Sequence, residues 1–124
     1  MIEGGRARLG QVVRLSLAGR GIREITWTGR DYLIVAGSFD GKGKSRIYRW
    51  AGTGTEVQRL REAARLDLNP EGLVVFPESN GTDFFLLSDD GSRETDGVEC
   101  KELRDSGQRS FRSARVRVGV EGLK

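Results

Sequence analysis

The residues of this chain that could carry chemistry are acids, lysines and glycines set beside turn signals. Glu71 lies in "NPEGL", and Asp89 and Asp90 lie in "LLSDDG". Carboxylate oxygens of this kind suit a hard cation such as calcium. A different chemistry is suggested by "GSFDGKGKS", residues 37–45, which ends in Gly43-Lys44-Ser45 like a phosphate-cradling loop. Such a loop needs glycine, four residues, then Gly-Lys-Ser/Thr, and it must open a helix whose N-terminus helps to hold the phosphates. Here Ser38 stands where the first glycine belongs, and the strand-like "RIYRW" follows. The matching stretch in the second half, "SDDGSRETDG", is acidic and would repel phosphate. Residues 37–45 are therefore read as a hairpin loop.

The chain has no histidine. That removes Ser-His-Asp and Cys-His arrangements and every zinc site built on imidazole. A general acid or base would have to be a carboxylate, lysine or tyrosine. Cys100, the single cysteine, cannot form an internal disulfide and reads as a half-buried residue of the strand-like "VECKEL". The 21 Lys and Arg stand against 18 Asp and Glu, a net charge of +3, with the arginines scattered among acids. That describes a solvated mixed surface better than a nucleic-acid footprint.

Length and composition fit one soluble domain. No apolar run reaches the length of a membrane span, and "MIEGGRARLG" lacks the apolar stretch of a signal peptide, so a cytoplasmic chain is expected.

The elements that must position the acids follow from an internal repeat. "VRLSL" (13–17), "ARLDL" (64–68) and "ARVRV" (114–118) share one alternation, at a spacing of about fifty residues. "YLIVAGS" and "FDG" recur as "DFFLLSD" and "DDG" at the same spacing, and Arg23 of "IREITW" falls on Glu71 of "PEGLVVF". Several short strands per unit of this length are the signature of propeller blades. The expected fold is all-β: a single domain over 1–124, with repeat units at 11–68 and 69–120, each a four-stranded antiparallel blade. The expected strands are 22–28, 32–37, 45–50 and 62–68, then 72–77, 83–88, 98–103 and 111–118, with 11–17 as an outer strand. "EVQRLREAARL" (56–66) also has good helix propensity. Asn80-Gly81 is a strong hairpin signal. Arg14, Arg65 and Arg115 would lie on outer strands, where charge discourages sheet-to-sheet pairing.

Two blades cannot close a ring, so the chain reads as a fragment of a larger propeller or as a self-associating two-blade unit. In a blade of this kind one end would gather Arg23, Asp40, Asn69, Glu71, Asp89 and Asp90. Turn formation explains Asn69, Asp89 and Asp90 without a ligand. A carboxylate at 71 needs a partner, and Arg23 of the neighbouring unit is the natural one.

The strings "GIREI", "YLIVAG", "SRIYRW", "NPEGL", "LLSDDG" and "FRSARVRV" resemble a bacterial domain-of-unknown-function family, the one numbered 3616. The resemblance implies the C-terminal part of a longer propeller-like protein and no particular activity. Its "PEG" step is similar to steps in phytase-like and lactonase-like propellers, which puts Glu71 in the matching position. The expectation is a non-catalytic binding or scaffold module. The alternatives are a calcium-assisted phosphoesterase or lactonase-like remnant with Glu71, Asp89 and Asp90 as ligands and, last, a basic nucleic-acid-binding domain.

Overall fold

A computed structural model describes residues 4–64 and 66–119. Strands β1 (Gly21–Trp27), β2 (Tyr32–Gly37), β3 (Arg46–Trp50) and β4 (Val57–Arg59) form one antiparallel sheet in chain order. A single turn of helix, α1 (Arg61–Ala64), leads to a second antiparallel sheet. Its strands are β5 (Pro70–Val75), β6 (Asp83–Ser88) and, after the small ribbon β7 (Glu94–Thr95) and β8 (Val98–Glu99), β9 (Ser113–Arg117), in the order β5-β6-β9. The described chain is all-β, with almost no helix.

The continuous apolar run of β2 is explained by burial on both faces. Leu33 and Val35 join Ile47 against Leu73, Phe84, Leu86 and Val116 of the second sheet, with Leu60 and Ala63 closing the core. Ile34 and Ala36 face the other way and are covered, together with Tyr48, by Leu17. The hairpin reading of 37–45 holds: β2 and β3 pair antiparallel, Val35 opposite Ile47, and Ser38 Oγ accepts from the Gly43 N–H at 2.8 Å across the loop.

Both sheets open with the same irregularity. The register of β1 on β2 slips between Ile22 and Glu24, and that of β5 on β6 slips between Pro70 and Gly72. Arg23 and Glu71 are thus the extra residues of two β-bulges, which re-aim a side chain out of the regular alternation.

Four expectations are corrected. Residues 62–68 are not a strand: β4, opposite Tyr48–Trp50, already occupies that sheet position, and the helix-forming "REAA" makes α1. Ala63 rather than Ala64 turns into the core, Leu66 and Leu68 pack beside it, and Arg65 lies outside the described residues. Segment 11–17 pairs with no strand among the described residues and lays Leu15 and Leu17 over a sheet face, leaving Arg14 exposed. Of 98–103 only Val98–Glu99 is a strand, followed by a 3-10 turn over Cys100–Glu102. The second sheet is consequently three-stranded, because the inward alternation of Ala114, Val116 and Val118 gives β9 the place beside β6. Arg115 stands on that edge strand, bonded to Asp83 and stacked on the Phe76 ring.

Candidate functional site

The six residues expected at one end of the strands fall into three groupings. Arg23 and Glu71 form an ion pair between the two sheets. The Arg23 guanidinium crosses Gly37, where any Cβ would collide with it, and also donates to the Ser38 carbonyl. Glycine at 37 is needed for this close approach. Glu24, next to the bulge, accepts the Leu73 N–H on Oε2 at 2.8 Å, so β1 and β5 are joined by two acid contacts.

Asn69, Asp89 and Asp90 lie together where β5 begins and β6 ends. The Asn69 carbonyl accepts the Asp89 N–H at 2.8 Å, and the Asn69 N–H donates to Ser88 Oγ at 3.0 Å. Asp90 is nearly fully buried. Its Oδ1 accepts from Ser88 Oγ at 2.8 Å and from Arg112 NH2 at 2.9 Å; its Oδ2 accepts from the Arg112 N–H at 2.6 Å and from Arg112 Nε at 3.0 Å. Arg112, more than burial, sets the Asp90 carboxyl, which is lowered to about 2. Asp89 accepts the Gly91 N–H at 3.0 Å, an Asx turn.

Asp40 stays within its own hairpin loop and accepts the Lys42 N–H at 3.0 Å, which lowers its carboxyl. Among the described residues no three acidic, cysteine or histidine side chains converge as a metal-binding group. Cys100 Sγ exchanges hydrogen bonds with the backbone of Ser110.

The opposite end holds a site that sequence reasoning missed. Arg49 is 5% exposed, and its NH1 donates to both carboxylate oxygens of Asp31, at 2.8 and 2.7 Å. Its NH2 donates to the Gly81 carbonyl of the second sheet's hairpin. Asp31 Oδ1 also accepts the Thr28 hydroxyl at 2.8 Å. Gly81 has a positive φ of 79° and sits so close to Thr28 that an added Cβ would lie 2.7 Å from its methyl carbon. One signal was available. Arg49 alternates with Ile47, so it shares the face turned to the core, and a charge there requires a buried partner.

The Glu71 pairing has a direct test. Both side chains of the Arg23–Glu71 pair are about a third exposed, at 32% and 39%, so the guanidinium left by Glu71→Gln remains solvated. The expected loss is about 1 kcal/mol or less by denaturant unfolding. With Glu71 serving as a partner of Arg23, calcium leaves the wild-type melting temperature unchanged. A calcium-dependent rise that disappears in the variant would assign Glu71 to a metal instead.

Together the two sheets define an all-β antiparallel protein, joined at one end by the Arg23–Glu71 ion pair and at the other by the Arg49 bond to the Gly81 carbonyl. The chain belongs to the family described as Protein of unknown function (DUF3616), whose model matches residues 4–95. The match covers β1 to β7 and leaves out β8, β9 and "FRSARVRV". No curated protein and no solved structure matches the chain. No helix among the described residues is long and apolar enough to cross a membrane.

Proposed function

We propose that the chain is a non-catalytic binding or scaffold module whose two main sheets are neighbouring blades of a propeller-type array. The observation that carries this reading is the matched pair of bulges. Arg23 and Glu71 occupy equivalent points on the first strand of each sheet, 48 residues apart, and meet between the sheets. A repeated unit stacked on its copy brings equivalent positions together in this way. The non-catalytic part is supported by how the acids are used: Glu71, Asp89 and Asp90 each hold a neighbouring group of the fold.

A blade also needs a neighbour on its other face. Ile22, Ile25 and Trp27 of β1 stand opposite Ala36, Ile34 and Tyr32, on the face turned away from the second sheet, and are 50%, 45% and 53% exposed. Light scattering is expected to give more than one copy per particle, and Ile25→Glu is expected to shift the population toward the monomer. A monomer that persists at high concentration and binds no dye for apolar surface would overturn the reading.

A further inference from the structure

We infer that the face of β5 and β6 turned away from the first sheet is an interaction surface for a second copy of this chain, which docks there through the outer face of its β1. The inference rests on the reading that copies associate, and it names the surface that the β1 face meets. The contact is head to tail, the outer face of one sheet against the outer face of the other, and no face pairs with itself.

The register of the second sheet defines the surface. Leu73 stands opposite Leu86 and Val75 opposite Phe84, and all four turn to the core. The residues that alternate with them turn outward. Val74 stands opposite Phe85 and Gly72 opposite Leu87, and Val74 is half exposed. The Phe76 ring lies against Phe85, 5.4 Å between centroids, so the outer side of β5 and β6 is an apolar strip. Charge bounds that strip on the β9 side, where Arg115 lies over Phe76 and holds Asp83. On the first sheet Leu15 and Leu17 cover the middle of the outer face, and the strip left open is Ile22, Ile25 and Trp27 of β1.

The two strips lie on the strands through which the sheets already meet inside the chain. Glu24 of β1 accepts the Leu73 N–H of β5, and Arg23 pairs with Glu71. Repeating that step from one copy to the next sets the outer side of β5 against the outer side of the next β1. It also brings the next copy's Arg23 toward Glu71, which holds its own Arg23 through Oε1 and accepts no hydrogen bond on Oε2 among the described residues. Two β1 faces paired with each other would leave the β5–β6 strip uncovered. A head-to-tail contact covers both strips with one kind of interface.

Sedimentation of two variants, apart and mixed, tests it. Ile25→Glu spoils the β1 strip and Val74→Glu spoils the β5 strip, each by placing a charge in an apolar contact. Each variant alone should sediment as a monomer where the wild type assembles, its self-association weakened at least about tenfold, because every copy carries the same spoiled face. An equal mixture should give particles of about twice the monomer mass. There the intact β5 strip of the Ile25→Glu chain meets the intact β1 strip of the Val74→Glu chain. Val74→Lys should behave as Val74→Glu does, alone and mixed. Both positions are about half exposed, so melting temperatures of the same samples should stay close to that of the wild type. Undiminished assembly of a folded Val74 variant, or no dimer on mixing, would overturn the head-to-tail assignment and leave association itself standing. A monomeric wild type would overturn both.

Discussion

Arg49→Ala lowers the melting temperature by roughly 10–20 °C, the largest effect expected from one side chain here. The change removes a buried guanidinium that holds Asp31 through two hydrogen bonds and reaches the Gly81 carbonyl of the other sheet. Asp31 is then left, in a part-buried position, with the Thr28 hydroxyl and the more exposed Arg30 guanidinium at 3.3 Å, and the carbonyl with no partner among the described residues. Breaking one side of a buried pair costs about 3–5 kcal/mol, because the remaining charge cannot be rehydrated. Removing both charges has a smaller cost. Arg49→Met combined with Asp31→Asn should recover a substantial part of the loss, the more so because Arg49 Nε is itself buried without a partner. Thermal and urea unfolding of the two single variants and the double variant form the test. Equal losses in single and double variants would mean that packing, not charge pairing, is the source of the effect.

Asp90→Asn is expected to cost about 2–4 kcal/mol at neutral pH and to change the acid dependence of unfolding. The Asp90 carboxyl is lowered from its ordinary 3.8 to about 2, chiefly by the Arg112 side chain. A group with a depressed folded-state pKa binds its proton more readily when unfolded. Its contribution is therefore complete above about pH 4 and is lost as the pH falls through about 2. The size of that linked contribution is about 2 kcal/mol. Urea midpoints measured down the acid range should fall steeply in the wild type and less so in the variant. Parallel slopes would place the acid sensitivity elsewhere, with Asp83, lowered by Arg115, as the next group to examine.

Much of the strand pattern was legible because it rests on local signals. The runs at 32–37 and 83–88 are apolar and bounded by turn residues, and Asn80-Gly81 supplies the positive φ angles of its turn. The Arg23–Glu71 contact was legible for a different reason: two positions related by the repeat carried opposite charges. Segment 62–68 failed because "ARLDL" satisfies an alternating pattern while its preceding residues form a helical turn, and sequence spacing alone does not reveal that β4 has filled the sheet position. Segment 98–103 failed because "ARVRV" competed for the same neighbour and buries its apolar face better. Arg49 escaped notice because Asp31 lies in the turn between β1 and β2, and no local rule joins residue 49 to that turn or to the carbonyl of residue 81.

The Asp90–Arg112 bond also has a meaning in chain entropy. It ties the residue leaving β6 to the residue entering β9, so the chain between them begins and ends at one pinned point. For such an excursion the cost of closure grows only by about 0.6 kcal/mol with each doubling of length. The sheet therefore registers the two ends of the segment and is nearly indifferent to its contents. Residues 92–110 could be shortened, extended or exchanged for another fold-back without disturbing the pairing of Phe84 with Val116, provided that the aspartate and the arginine remain.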